Sequence, residues 1–256
     1  AAALAERLAG RELACAANRA QRKARIEAEK GAWEQELATW THERDTYSLE
    51  VAKDSPHMHP RQMLRELEKA LPPHAMVSTD IGNICSVSNS YLRFEEPRSM
   101  FAAMSFGNCG YAFPVACGAK IAAPDRPMIA YVGDGAWGIS LNELLTCARE
   151  KIGVTVVVFN NGQWGAEKKN HVDFYSQRFQ AVDLVSPSWA GVAKAFGCEG
   201  VTVDRLSDVG PALQASVQAQ AAGRTTILEM MVTRELGDPF RRDALSKPVR
   251  YLDKYK

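Results

Sequence analysis

The chain has 256 residues, of which 46% are hydrophobic and 24% are charged, and its formal net charge is +1. This balance is typical of a globular protein with a sizeable core, and it gives no reason to expect nucleic acid or a membrane as a partner. The six cysteines show no CxxC spacing, which favours reduced thiols in the cytoplasm over a disulfide framework or a zinc site.

The first 50 residues are rich in Ala, Glu, Arg, Lys and Leu, a composition that predicts helix. They open on AAALAERLAG without an initiator Met or a helix-start signal, so we expect the chain to be a piece of a longer protein. We interpret residues 1–50 as the helical end of a preceding domain and its linker. In the polar stretch 41–60, His57 and His59 have no third ligand nearby and are not expected to bind a metal.

Helices and strands alternate from Pro60 onward. Strands are predicted at 75–79, 128–132, 154–159, 200–203 and 226–232, with a sixth near 99–104. Helices are predicted at 61–73, 84–92, after the Gly-rich 106–110, from Trp137–Ser140 onward, at 189–196 and at 208–222, and a loop is predicted at 162–179. The alternation predicts an α/β fold with a mostly parallel sheet of about six strands flanked by helices. This domain spans 51–232, and the tail 233–256 is irregular.

Two polar turns follow neighbouring strands of this predicted sheet. Gly133-Asp134-Gly135 ends the strand at 128–132, and Asn160-Asn161-Gly162 ends the strand at 154–159. The carboxyl ends of parallel strands lie on one edge of the sheet, where open α/β sheets bind ligands. We therefore expect Asp134 and Asn161 to meet at one site.

The residue types in these turns suit a divalent metal and a diphosphate. Mg²⁺ prefers oxygen ligands and keeps substrate phosphates in its shell. Asp134 offers a carboxylate, Asn161 an amide oxygen, and the chain just past Asn161 a main-chain carbonyl. The N–H groups of Gly135 and Ala136, near a helix start, are expected to face an anion. The alternative is an ordinary strand-to-helix turn, because Asp and Gly are common turn residues.

The GDG turn, followed about 25 residues later by NN, resembles the thiamine diphosphate motif of the decarboxylase and acetolactate synthase superfamily. STDIGN at 78–83 resembles the loop that closes on the diphosphate in that family. FGNCGYAFP at 106–114 resembles the Gly-rich segment that precedes the motif. The resemblance covers about residues 50–250, the C-terminal cofactor domain, and implies thiamine diphosphate and Mg²⁺ as cofactors.

The same resemblance implies roles for individual residues. Cys109 would support the V-shaped cofactor, although most members carry a larger apolar residue there, and an ordinary core role is the alternative. The main-chain carbonyl of Gln163 would join Asp134 and Asn161 as a metal ligand. The implied cofactor-binding residues are Ile81, Gly82, Asn83, Gly107, Cys109, Gly133, Asp134, Gly135, Ala136, Asn161 and Trp164.

QWGAEKKN at 163–170 and RELGDPFRRDALSKPV at 234–249 are similar to the sulfoacetaldehyde acetyltransferase branch of the family. That branch implies sulfoacetaldehyde and phosphate as substrates, with acetyl phosphate and sulfite as products. Arg241 and Arg242 are candidates for holding phosphate or the sulfonate, with surface ion pairing as the alternative. Lys168 and Lys169 are a weaker candidate pair.

In this family the glutamate that activates the cofactor lies in an N-terminal domain of a partner subunit. We therefore expect this chain alone not to catalyse turnover, and the whole enzyme to be a homodimer or homotetramer. Two alternatives stay open. One is a different enzyme on the same cofactor, such as an acetolactate synthase, and the other is a non-catalytic metal- or diphosphate-binding fragment.

Overall fold

The computed structural model describes residues 16–42 and 55–235. Contacts between Cα atoms divide the chain after Trp40 into two units. The first contains most of helix α1 (Ala16–His42), on which Trp33 and Trp40 pack edge to face with ring centroids 5.4 Å apart. The prediction of helix near the start of the chain is therefore confirmed for the residues described there.

The second unit is built on a six-stranded sheet whose neighbouring strands are all parallel, in the order β2-β1-β3-β4-β6-β5. The central strands β3 and β4 are buried on both faces, as expected of continuous apolar runs in a parallel sheet. The predicted fold class is confirmed, including the sixth strand near 99–104. The strands are β1 (Met76–Thr79), β2 (Met100–Ala102), β3 (Met128–Gly133), β4 (Thr155–Asn160), β5 (Glu199–Val203) and β6 (Thr226–Met231).

Helices lie between successive strands and cover the sheet. On one side, Phe113 and Trp137 pack with ring centroids 5.1 Å apart, and both are fully buried with Leu144. The helices of this unit are α2 (Pro60–Ala70), α3 (Asn83–Ser88), α4 (Ala112–Ala122), α5 (Asp134–Ser140), α6 (Leu144–Glu150), α7 (Gly165–Phe174), α8 (Trp189–Ala195) and α9 (Leu206–Gln220).

Some elements differ from those predicted. Helix α5 begins at Asp134 rather than near Trp137, because Gly133 is its N-cap and the carboxylate suits the first turn. The stretch 162–179, predicted as a loop, contains α7: its Ala, Glu and Lys residues favour helix but form no apolar stripe. Helix α3 ends at Ser88, four residues earlier than predicted.

The polar stretch 41–60 also contributes to the sheet region. Met58 pairs in parallel with Val232, just beyond the end of β6. Its N–H donates to the carbonyl of Met231 at 3.0 Å, and its carbonyl accepts from the N–H of Thr233 at 2.9 Å. Residues 43–54 of this stretch lie outside the described residues.

The strand order places a topological switch point between β1 and β3. The chain leaves β1 toward β2 on one side, and it leaves β3 toward β4 on the other. Loops that diverge in this way open a crevice at the carboxyl ends of the two strands, which is where ligands bind in such sheets. Asp80 follows β1 and Asp134 follows β3, so both lie beside this crevice.

Within the part of the chain that the structure describes, no helix has both the length and the apolar character required to cross a membrane.

Candidate cofactor site at the switch point

Asp134 is the buried carboxylate at the end of β3, with 2% of its surface exposed. Its Oδ1 accepts the N–H of Gly135 at 2.9 Å, and its Oδ2 accepts the N–H of Gly162 at 2.7 Å. The second bond joins the turn after β3 to the turn after β4, so the two predicted turns do meet. The N–H of Gly135, expected to face an anion, is directed at Asp134 instead.

The environment of Asp134 disfavours its charge. Burial raises the pKa of Asp134 to about 6, although the N–H donors of Gly162 and Gly135 act in the opposite direction. A carboxylate that is desolvated and faces no cation is stabilised in its charged form by a bound metal ion. This is the electrostatic setting expected of a metal ligand.

The chain after β4 presents two further oxygen donors. Asn161 is buried and lines the same cavity as Asp134. Gln163 pairs in an isolated antiparallel bridge with Asp183, in which Trp164 N–H donates to the carbonyl of Val182 and Leu184 N–H donates to that of Gly162. Because peptide groups alternate in such a pair, the carbonyl of Gln163 itself points away from the 182–184 segment. It is therefore available as a ligand.

A short segment after β6 holds this turn in place. Arg234 donates from Nη2 to the carbonyl of Gly162 at 3.2 Å, and Gln163 donates from Nε2 to the carbonyl of Arg234 at 3.1 Å. Next to it, Glu235 pairs with the buried His59, whose Nε2 lies 2.6 Å from the Glu235 carboxylate. No function was predicted for Arg234, Glu235 or His59, because their contacts join segments far apart in the chain.

The first asparagine of the NN pair has a different role from the second. Asn160 donates from Nδ2 to Glu229 on β6 at 2.9 Å. Glu229 also accepts from the N–H groups of Trp189 and Ala190 and from the hydroxyls of Ser188 and Thr202. This buried carboxylate therefore anchors both the start of α8 and the strand end that carries Asn161. Nothing in the sequence around Glu229 predicts this anchoring role.

One cavity, enclosing about 690 Å³ of space that is partly open to solvent, is lined by Asp134, Asn161 and Gln163. Every described residue predicted to bind the cofactor or the metal lines it. Glu167, in the first turn of α7, lines it too and was not predicted. The lining residues are Ile81, Gly82, Asn83, Ile84, Cys85, Gly107, Cys109, Gly133, Asp134, Gly135, Ala136, Phe159, Asn161, Gln163, Trp164, Gly165, Ala166 and Glu167.

Glycines shape the cavity wall. Gly82 (φ 135°) and Gly107 (φ 76°) adopt backbone conformations that L side chains rarely take. A Cβ atom added at Gly82, Gly107 or Gly133 would meet nothing within 4 Å. Side chains at these positions would therefore fill the cavity rather than pack into the protein. At Gly135 the opposite holds, because an added Cβ would lie 2.8 Å from the Trp164 ring.

Cys109 is half-buried in the cavity wall. Burial raises the pKa of Cys109 to about 11, and the negative charges of Asp80 and Glu167 act in the same direction. Its thiol is therefore neutral at physiological pH. A small, uncharged side chain is compatible with the predicted support of the cofactor.

The two predicted anion-binding lysines, Lys168 and Lys169, do not line this cavity. Lys168 donates to Asp183 at 2.8 Å, with its ammonium 5.1 Å from the Phe179 ring, and Lys169 binds Asp173 at 2.6 Å. Both lysines are therefore engaged with neighbouring carboxylates. Arg241 and Arg242 lie outside the described residues.

The donor set fits Mg²⁺ and a diphosphate. One carboxylate, one amide oxygen and one main-chain carbonyl are the ligand types that Mg²⁺ accepts beside substrate phosphates. The glycine-lined wall leaves room for a phosphate group against the backbone. The start of α5 adds the positive end of its helix dipole.

Comparison with known proteins agrees with this geometry. Residues 80–230 match the model of the family described as thiamine pyrophosphate enzyme, C-terminal TPP binding domain, thiamine pyrophosphate being thiamine diphosphate. The chain is 64% identical over 262 residues to sulfoacetaldehyde acetyltransferase of Castellaniella defragrans, with 100% of the chain and 44% of that protein covered. It is 61% identical over 266 residues to the enzyme of the same name from Alcaligenes xylosoxydans xylosoxydans, with the same coverage.

More distant relatives share the domain. An acetolactate synthase of Mycobacterium bovis is 33% identical over 172 residues, which is 65% of this chain and 28% of that protein. Among solved structures, the thiamine diphosphate-dependent 4-hydroxybenzoylformate decarboxylase of Rhodococcus jostii RHA1 superposes with a TM-score of 0.64 at 23% identity, over 70% of this chain and 33% of that one. This structural likeness supports the fold.

The chain thus spans less than half the length of these two sulfoacetaldehyde acetyltransferases. The family model covers more than half of the chain, from the end of β1 into β6, and includes the cavity-lining residues. The chain belongs to the thiamine pyrophosphate enzyme family, as its C-terminal TPP-binding domain.

Proposed function

We propose that this chain is the cofactor-binding portion of a sulfoacetaldehyde acetyltransferase. The observation that carries the proposal is the cavity in which Asp134, Asn161 and Gln163 converge at the ends of β3 and β4. The choice of substrate is supported by two relatives of that name at 64% and 61% identity over the whole chain.

In the proposed site, Asp134, the Asn161 side chain and the Gln163 carbonyl bind Mg²⁺, which in turn binds the diphosphate. Ile81, Gly82 and Asn83 line the wall at the start of α3, and Gly107 and Cys109 line the loop before α4. Gly133, Gly135, Ala136 and Trp164 complete the set proposed to contact the cofactor. Bound thiamine diphosphate supplies a stabilised carbanion and acts as an electron sink.

The proposed reaction is balanced without an oxidant or reductant. Sulfoacetaldehyde and hydrogen phosphate contain the same atoms and total charge as acetyl phosphate and hydrogen sulfite. The carbon–sulfur bond breaks, a carbon–oxygen bond to phosphate forms, and the aldehyde carbon is oxidised while the neighbouring carbon is reduced. Arg241 or Arg242 is proposed to hold phosphate or the sulfonate through a bidentate guanidinium contact.

We propose that a second domain completes the site in a homodimer or homotetramer and supplies the activating glutamate. Phe106 and Met104, beside the cavity-lining Gly107, are 91% and 68% exposed. Large apolar side chains so exposed at the rim of a site support a covering surface. The five described cysteines are free, which supports a cytoplasmic location.

The test is an assay of this chain fused to the N-terminal portion of the Castellaniella relative. Sulfite release from sulfoacetaldehyde is expected, dependent on phosphate, thiamine diphosphate and Mg²⁺. Acetolactate formation from pyruvate with no sulfite release would instead assign the chain to the acetolactate synthase activity of its more distant relatives. Absence of both reactions in a fusion that binds the cofactor would overturn the proposed activity.

A further inference from the structure

Asp80 occupies the position after β1 that corresponds to that of Asp134 after β3. Its side chain is 3% exposed, and it lies behind the cavity wall rather than in it. The STDIGN segment was predicted to close on the diphosphate, but no role was predicted for Asp80. Its hydrogen bonds show which parts of the cavity wall it connects.

The Asp80 carboxylate binds two separate loops. Its Oδ1 accepts the N–H of Ile81 at 2.9 Å and that of Gly110 at 3.1 Å. Its Oδ2 accepts the N–H of Ala112, the first residue of α4, at 2.9 Å. One side chain therefore joins the loop that carries Gly82 to the loop that carries Gly107 and Cys109.

These two loops form one wall of the cavity. Ile81, Gly82 and Asn83 come from the first, and Gly107 and Cys109 come from the second. The second loop also has positive φ angles at Gly107 (76°) and Gly110 (81°), which glycine adopts at little steric cost. Asp80 connects the two loops by accepting N–H groups from both.

The charge of Asp80 also acts on the cavity. No cation pairs with it among the described residues. Burial raises the pKa of Asp80, although the N–H groups of Ala112, Ile81 and Gly110 act in the opposite direction. Burial raises the pKa of the Cys109 thiol and that of the Cys85 thiol, and the negative charge of Asp80 acts in the same direction on both. The titratable groups facing Cys109 are Asp80, Glu167 and Cys85.

We propose that Asp80 is a positioning residue of the cofactor site: its carboxylate sets the spacing between the 81–83 and 107–110 loops. The inference rests on the proposed cofactor but concerns only residues of this chain. Asp80 does not line the cavity. It acts through the backbone of the two loops that do.

The first test compares the Asp80→Asn variant with Ser78→Ala in the full chain. Asparagine has one acceptor oxygen, and its NH₂ group would face an N–H donor, so at least one loop contact is lost. Ser78 is also fully buried and donates to the Ala112 carbonyl at 2.7 Å, so it anchors the same helix start without binding either loop. The dissociation constant for thiamine diphosphate with Mg²⁺ is measured by calorimetry, and the melting temperature of each variant is recorded.

Asp80→Asn is expected to weaken cofactor binding about tenfold or more, as expected for lost bonds to a charged group. Ser78→Ala is expected to lower the melting temperature with little change in affinity. Equal affinities of Asp80→Asn and the wild type would overturn the proposal. If Asp80→Asn does not fold, Asp80→Ser, which removes the charge but keeps a smaller acceptor, is measured in its place.

The second readout does not require the cofactor. The rate at which iodoacetamide alkylates Cys109 is followed by peptide mass spectrometry as a function of pH. Loss of the Asp80 charge lowers the thiol pKa, so alkylation of Asp80→Asn is expected to be faster than that of the wild type near pH 8. Ser78→Ala is expected to match the wild type. If the wild type binds no thiamine diphosphate, the proposed function fails. Equal alkylation rates of Asp80→Asn and the wild type would separately refute the link between Asp80 and the Cys109 loop.

Discussion

At the scale of single residues, the shape of the cavity depends on glycines, which have no side chain. Gly135 faces the Trp164 ring, and an added Cβ would lie 2.8 to 2.9 Å from three ring carbons. We expect Gly135→Ala to displace this ring, to lower the free energy of unfolding by about 1–3 kcal/mol and to weaken cofactor binding. Urea unfolding and calorimetric titration measure the two effects.

Gly138→Ala is the matched control, because it lies on the same helix, α5. An added Cβ there meets only the Trp189 ring, at an ordinary 3.8 Å. Alanine also favours helix over glycine by about 1 kcal/mol, so this variant should be as stable as the wild type or more so. Equal stability and affinity of the two alanine variants would contradict the role given to Gly135.

The pKa of Asp134 predicts how cofactor binding depends on pH. Because burial raises this pKa to about 6, a proton competes with the metal below that pH. At a fixed concentration of the magnesium–thiamine diphosphate complex, the dissociation constant should rise about tenfold per pH unit below pH 6. Above pH 7, where Asp134 is charged, its protonation should no longer affect the dissociation constant. A dissociation constant that does not change from pH 5 to 7.5 would contradict the role of Asp134 as a metal ligand.

The raised pKa of Asp134 also predicts how the stability of the cofactor-free chain depends on pH. The folded-state pKa of Asp134 lies above its ordinary value of 3.8, so the folded chain binds this proton more tightly than the unfolded chain. The destabilising contribution of the carboxylate is therefore complete above pH 6 and is relieved as the pH falls toward 4. Asp134 lowers stability in the absence of metal, as a residue retained for binding can do.

At the scale of secondary-structure elements, Glu229 joins β6, β4 and the start of α8. Its Oε1 accepts from Asn160 Nδ2 at 2.9 Å and from Trp189 N–H at 3.0 Å. Glu229→Gln replaces one acceptor oxygen by a donor group facing N–H donors. The free energy of unfolding should fall by about 2–4 kcal/mol, measured by urea unfolding.

Glu199→Gln on β5 is the control for this prediction. Glu199 pairs with Arg224 at 2.6 Å, but 44% of its side chain is exposed. An exposed ion pair contributes about 0–1 kcal/mol, so this variant should be nearly as stable as the wild type. If both glutamine variants lose the same stability, Glu229 is not the anchor described above.

Elements differ in how far the sequence predicts them. Apolar runs such as 128–132 and 154–159 predict β3 and β4 because a parallel sheet buries both faces of its central strands. Helix α7 was missed because it lacks an apolar stripe, and its contacts with the loop that follows depend on the folded chain. The motif residues Asp134 and Asn161 are local signals, whereas Asp80, Glu229 and Arg234 act through partners 30 or more positions away.

At the scale of the whole molecule, the exposed apolar rim predicts assembly. In the fusion with the N-terminal portion of the Castellaniella relative, Phe106→Asp should shift the oligomer toward smaller species in sedimentation experiments, because it places a charge on the proposed covering surface. Ile121→Asp is the control, since Ile121 is also exposed (65%) but lies at the end of α4 that is distant from the cavity. An unchanged oligomer in the Phe106 variant would remove the proposed covering surface.

The central claim is that Asp134 and its neighbours form a metal-dependent thiamine diphosphate site. Calorimetric titration of the full chain with thiamine diphosphate, with and without Mg²⁺, tests this claim most directly. Binding is expected only with Mg²⁺, and Asp134→Ala is expected to abolish it while keeping the circular dichroism spectrum of the wild type. Binding that is independent of Mg²⁺, or that survives in Asp134→Ala, would contradict the account.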